Sequence, residues 1–375
     1  MAAIVTAAAV GLRVSENPPG DPYRRGGWAA PFRPTCSTLN HLVYVGRGLP
    51  AGRDSARRSA RSAHGADRYP LELMSSIVIN PGLARRSIST ELRELWSYRG
   101  LIWTMIERDL RVRYKGSVLG ILWSMINPLM QAFVLTIVMG YILNAGPKNQ
   151  SAYILCAFIP WMFFQTAILD ASQSILSQVQ LIKKVYFPRE IPVIATTGAN
   201  LIHLLISLGV FVVYRWGVLS LLFHRWPGLP PWQIVFLPVV VLILFLLTLG
   251  ISLIVASLNV FYEDVKYIVT LLLQFAMYLS AVMYPVEFIF YSSRIPPGLH
   301  SAVYHFYLFN PISWTVTAFK QMFFPPQAIA IAGLHIFTAP FNWHYCLIAL
   351  VTSSAICIYG YDMFNRAKWR FTERA

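Results

Sequence analysis

Few side chains in this chain of 375 residues are placed to do chemistry. Asp170 is the one acid well inside an apolar run, in QTAILDASQSILSQVQ, where Gln165, Ser172, Gln173, Ser174, Ser177 and Gln178 make the surrounding turns unusually polar. Stranding a charge in lipid costs about 2.5–3.5 kcal/mol on insertion scales, so an intramembrane acid is a functional candidate by default. The competing reading is interhelical hydrogen bonding. Glu263 and Asp264 in NVFYEDVKY form the only adjacent acidic pair, and a helix cap at Asp264 is a simpler role for them than catalysis. Cys36, Cys156, Cys346 and Cys357 have no C-x-x-C spacing and read as inert thiols, three of them in apolar runs. His203, also inside such a run, reads as an interior histidine before a metal ligand. No G-x-x-x-x-G-K-[ST], G-x-S-x-G or H-E-x-x-H occurs, so the chain has no P-loop to cradle nucleotide phosphates and no recognisable hydrolase or zinc site.

These residues must be held by elements built largely of apolar side chains. The composition is 56% hydrophobic and only 13% charged, with a mean hydropathy of +0.53, which is a membrane protein's composition. A span needs roughly 20 apolar residues at about 1.5 Å each, and about six segments qualify: 117–143, 152–176, 192–214, 234–260, 267–286 and 343–364. All are apolar around their circumference, where barrel strands would alternate, so the expected fold is an all-α integral membrane protein. Residues 301–341 hold shorter apolar pieces broken by Pro311, Pro325, Pro326 and Pro340, expected as short re-entrant or external helices before the last span. Asn127 and Pro128 interrupt the first span, where proline favours a kink around a lumen.

Orientation follows the positive-inside rule. From residue 85 onward, sixteen Lys and Arg fall on the side that carries both termini and five on the other, so both termini are expected in the cytoplasm. The net charge of +15 then reflects topology and anionic lipid, and a nucleic-acid partner is the weaker reading because the cations flank spans. From Glu91 to Arg113, Leu92, Leu95, Trp96, Ile102, Trp103, Ile106 and Leu110 recur near helical spacing, with Arg93, Arg108 and Arg111 on other faces. This predicts one amphipathic helix in the membrane interface, with a turn into the bilayer at Gly116; the alternative is packing on the protein's own cytosolic face. Residues 1–73, rich in Arg, Ser, Ala and Gly, are expected to be a disordered or spurious tail, with Met74 a candidate start. Residues 74–115 then form a leader and interface helix, and 116–375 the transmembrane domain.

The blocks LRELWSYRGLIWTMIERDLRVRYKGSVLGILWSMINPLMQAF, IPWMFFQTAILDASQSILSQVQLIKKVYFPREIP, ASLNVFYEDVKYIVTLLLQFAMYLSAVMYP and FNPISW resemble, in that order, the permease subunits of type-2 ABC exporters, most closely the polysaccharide and O-antigen branch. The resemblance implies half of a homodimeric channel in a bacterial inner membrane, driven by a separate P-loop ATPase that uses ATP and Mg, with no cofactor bound by this chain. It implies a polysaccharide or glycolipid substrate such as O-antigen or capsule. Teichoic acid, a lipid or a drug as cargo, or a non-ABC glycan-handling protein, are the alternatives. A secondary transporter is disfavoured by the lack of inverted repeats and midplane charges.

By the same resemblance, LIKKVYFPREI is a coupling loop to the ATPase: Lys183, Lys184, Val185, Tyr186, Phe187, Pro188, Arg189 and Glu190. Its apolar anchors amid charges suit docking in a groove with a polar rim, while the bland reading is a topogenic cationic loop. The interface helix carries Trp96, Trp103, Arg108, Asp109, Arg111 and Arg113. Trp123, Asn127, Trp161, Phe163, Phe164, Asp170 and Trp314 are candidates for a sugar path, against ordinary belt or packing roles for the aromatics.

Overall fold

The computed structural model describes residues 88–116, 122–138, 150–185, 187–218, 221, 228–291, 295–326, 328–331 and 334–371. Residues 1–73, expected to be a tail, the candidate start Met74 and the thiol of Cys36 lie outside them. The amphipathic stretch forms two helices, α1 (Ile88–Ser97) and α2 (Arg99–Tyr114), broken at Tyr98, where one continuous helix was expected. Gly116 has a φ of 76° that glycine adopts without Cβ strain, and the residues after it, where the chain was expected to enter the bilayer, lie outside those described. The bundle then comprises α3 (Leu122–Thr136), α4 (Gln150–Ser174), the short α5 (Val179–Lys184), α6 (Ile191–Val212, continued by a π turn over Val213–Val218), α7 (Leu237–Phe261), α8 (Val265–Leu279), α9 (His300–Phe309), α10 (Pro311–Phe323) and α11 (Trp343–Ala367).

Among the described residues, four helical stretches are long and apolar enough to cross a membrane: Gln150–Ser174, Ile191–Gly217, Trp232–Phe261 and Trp343–Ala367. They match four of the six expected spans. Pro128 lies inside α3, and residues 117–121 and 139–149 of the expected first span and the loop after it are not described. The fifth expected span is shorter than its sequence suggests: α8 has 15 residues, below the roughly 20 needed. It ends at Ser280, and Ala281 turns the chain with a φ of 52°. The proline-broken region supplies the expected short helices α9 and α10, followed by a small antiparallel hairpin that the proline pattern did not suggest, β1 (Ala328–Ile331) with β2 (Leu334–Phe337), Ala328 facing Phe337.

The α4 helix is the bundle's axis, buried along most of its length against α3, α6, α7 and α10. Two asparagines set helix starts near it. Asn310 Oδ1 accepts from Ile312 N at 3.2 Å ahead of Pro311, and Asn342 Oδ1 accepts from His344 N at 3.0 Å, caps worth about 1 kcal/mol each. At α8 the expected cap is corrected: Asp264 makes no side-chain cap. Asn259, from the end of α7, accepts from Lys266 N at 3.2 Å and donates to Ser172 O at 2.9 Å, because its amide serves two helices at once. Among the described glycines the closest approach joins α7 to α11. A Cβ on Gly250 would lie 2.7 Å from the Cα of Cys357, and one on Gly360 2.3 Å from the carbonyl oxygen of Gly250, so backbone meets backbone there.

Alternation of the long helices gives the bundle two ends. Tyr214 Oη bonds Ser151 Oγ at 3.0 Å, and the rings of Phe236 and Trp343 lie 4.4 Å apart, at one end. Asn259 meets Ser172 at the other, which also carries α1, α2 and the end of α11.

Candidate functional site

Asp170 is not stranded. Its Oδ2 lies 2.5 Å from an Nη of Arg113, the last charged residue of α2, and accepts from Asn200 Nδ2 of α6 at 3.0 Å. Arg113 donates in turn to Asn200 Oδ1 at 3.0 Å, so each of the three touches the other two. Asn200 also donates to the carbonyl of Thr196 at 3.0 Å, which fixes its amide. One turn back, Thr196 reaches Asp109 of α2 at 3.4 Å. The amphipathic helix is thus clamped to the second and third long segments by charge and hydrogen bonds. Apolar contact reinforces the clamp: Met105 and Ile106 are buried against α6, where a Cβ on Gly198 would come within 3.0 Å of Ile106 Cδ1. Trp96 and Trp103 point away, Trp103 at 61% exposure. One face of the amphipathic stretch therefore packs on its own protein, as the alternative reading expected, and another presents the two tryptophans outward. Arg108 pairs with Asp109 at 2.8 Å, and Arg111 with Glu107, on its exposed side.

The loop Leu181–Ile191 packs on the same helices through its second half. Lys184 and Val185 are exposed, whereas Phe187 is 6% exposed and packs among Met105, Ile106, Ile191, Ala195 and Ala199. Pro188 and Arg189 are half-buried. Arg189 donates to the carbonyl of Lys368, and Glu190, 2% exposed, accepts from Lys368 Nζ at 2.8 Å. A carboxylate so deeply buried is tolerable only when paired, so Lys368 is a requirement of the loop's shape. Asn365, on α11, donates to Glu91 of α1 at 2.7 Å. The loop, the amphipathic helices and the end of the last helix therefore form one connected body. The side chain of Lys183 and the whole of Tyr186 lie outside the described residues, as do the side chains of Trp123 and Asn127.

The described aromatic candidates for a sugar path sit in the core. Trp161 is 0% exposed and donates to Gln165 Oε1 at 3.2 Å, and Phe163, Phe164 and Trp314 are likewise buried. Sequence reasoning passed over the opposite end, where Lys320 is 3% exposed on α10. Its Nζ donates to the carbonyls of Ala281 at 2.6 Å and Tyr284 at 3.0 Å, and lies 4.8 Å from the ring centroid of Tyr153. Those carbonyls are freed where α8 ends early, so the ammonium secures that turn. Glu287 accepts from Ala339 N at 2.8 Å. Burial pushes the Lys320 ammonium down to about 7 and the Glu287 carboxyl upward. Among the described residues no group of three His, Cys, Asp or Glu could hold a metal ion.

Two comparisons bear on these features. The ABC-2 type transporter family matches residues 100–324. The chain is 29% identical to the O-antigen export system permease protein RfbA of Myxococcus xanthus, over 67% of this chain and 92% of that protein. It is 25% identical to the Klebsiella pneumoniae protein of the same name, over 73% of this chain and 94% of that protein.

Proposed function

Because the chain belongs to the ABC-2 type transporter family, we propose that it is the transmembrane subunit of an ATP-driven exporter moving a polysaccharide, such as a lipid-linked O-antigen, across the inner membrane. The observation that carries this reading is the agreement of two relatives, both O-antigen export permeases, over more than nine-tenths of their own length. The residues support the rest. A chain with no P-loop leaves ATP hydrolysis to a separate subunit. The end that carries α1, α2, the loop and Lys368 holds most of the cations, which favours a cytoplasmic position for it and for both termini.

On this reading the exposed part of the loop, Lys184, Val185 and the neighbouring Tyr186, docks on the ATPase. Phe187, Arg189 and Glu190 pass its displacement inward to α2, α6 and α11. Two copies of the chain form the conduit, with Trp123, Asn127 and Asp170 candidates for its wall and the buried Trp161, Phe163, Phe164 and Trp314 supporting it from behind. The test is a deletion strain. Glycan should accumulate inside and vanish from the surface, and this chain together with its ATPase should restore it. Surface glycan persisting at the wild-type level in the deletion strain rejects the function.

A further inference from the structure

The end of the bundle opposite the clamp contains a cavity of about 280 Å³ between the turn that precedes α7, the end of α10 and the segment after the hairpin. This lies at the lower edge of the roughly 300–1,000 Å³ typical of small-molecule sites, a size for one or two small rings. The lining mixes two chemistries. Trp232, Phe324 and Phe341 supply aromatic surface, and Gln233, Gln321 and Glu287 supply amide and carboxyl groups. Trp232 stands at the mouth, 63% exposed, with Phe236 and Trp343 packed behind its ring at 5.9 and 6.2 Å between centroids.

The walls are already fixed. Glu287 holds Ala339 N, and Gln321 Nε2 donates to Ala339 O at 3.0 Å, so the segment after the hairpin is bonded at both backbone atoms of one residue. Pro231, Pro325, Pro326 and Pro340 line the rim, each with its φ locked by its ring. A cavity shaped in advance loses little on filling. The deep charge is spent internally, because the Lys320 ammonium is held by two carbonyls. One lining group is left over: Gln233 Oε1 is buried and meets no donor among the described residues. Such an orphan costs about 1–3 kcal/mol unless something donates to it.

We propose that this cavity is a sugar-binding site, taking one or two pyranose units. A pyranose has an apolar C–H face that stacks on an aromatic ring, whose face carries negative charge, and a rim of hydroxyls that donate to amide oxygens. The occupant thus matches both chemistries of the lining, and a turn of the Gln233 side chain toward the cavity brings its buried amide oxygen to one of the sugar's hydroxyls. An acyl chain fits the aromatic walls but leaves Gln233 Oε1 unpaired. The choice of sugar as cargo rests on the export reading above; with the clamp end inside, this mouth opens on the outer side, where an emerging glycan would meet it.

The test uses the full chain in lipid nanodiscs with the methyl glycosides of glucose, galactose, mannose and N-acetylglucosamine, read by saturation-transfer NMR. At least one glycoside should show ring-proton transfer, weakened about tenfold or more by Gln233→Leu and by Trp232→Ala. Gln233→Leu should also raise the thermal midpoint, since it removes a buried orphan, so loss of binding there is not loss of fold. No transfer from any glycoside, equal transfer in both variants, or displacement of the glycoside by decanoic acid overturns the proposal. Binding of a free glycoside needs no ATPase. A chain that binds but fails to restore surface glycan sinks the export reading alone, and one that restores it without binding sinks this site alone.

Discussion

Breaking the clamp at Asp170 gives the sharpest test of how the amphipathic helix is held. Both partners of the ion pair are about a third exposed, at 34% for Arg113 and 39% for Asp170, so solvent screens their attraction to about 0.2–1 kcal/mol. The bond from Asn200 to Asp170 adds about 0.5–1.5 kcal/mol. Asp170→Asn keeps the shape and a hydrogen-bonding oxygen but loses the charge, so the expected loss is about 1 kcal/mol, or about fivefold in a local opening equilibrium. Amide hydrogen exchange of a peptide covering Arg99–Tyr114 reads that opening directly. Arg113→Gln should accelerate exchange by a similar factor. The double variant should be little faster than the worse single one, since the pair can be broken only once. Ile106→Ala should do more than either, about 2–5 kcal/mol for a buried side chain, because apolar contact carries most of the docking. If the two singles multiply in the double variant, Arg113 and Asp170 act independently and the clamp is not a unit.

Gly250→Ala and Gly360→Ala each drive a methyl group into backbone and should cost about 1–3 kcal/mol or more, seen as a lower thermal midpoint, while Gly100→Ala, with nothing within 4 Å, should be neutral or stabilising. Phe187→Ala should destabilise the fold by about 3–5 kcal/mol, whereas Val185→Glu on the exposed part of the loop should leave the midpoint unchanged and release or uncouple the ATPase, measured by co-purification and by ATP hydrolysed per glycan exported. Lys368→Met should leave Glu190 buried and unpaired and cost about 3–5 kcal/mol; the double variant with Glu190→Gln should recover much of it in the same thermal assay.

The sequence told what the chain is made of more clearly than which way its side chains face. Long apolar runs located four spans to within a few residues because length against the bilayer is a property of the run alone. The same runs are apolar on every side, so no periodicity separated the buried face of α4 from an open one or showed which way Trp161 and Trp314 face. Asp170 was recognisable as a site, but its partner lies 57 residues earlier, on a helix whose docking no local pattern records. In LIKKVYFPREI the aromatic and charged types were legible, while the inward turn of Phe187 and the pairing of Glu190 depend on α2 and on Lys368, 178 residues later. Lys320 looked like a topological charge, since nothing local shows that α8 ends early and frees two carbonyls for it.

The central claim is that this chain conducts a glycan when a separate subunit hydrolyses ATP. The direct measurement is uptake by inside-out membrane vesicles carrying this chain and its P-loop ATPase, with labelled lipid-linked glycan supplied in the outer leaflet and protection from an added glycosidase as the readout. The account expects protection to grow with ATP, and to fail when the ATPase carries a substitution of its P-loop lysine or when this chain is omitted. Protection that develops equally without ATP, or in vesicles lacking this chain, contradicts it.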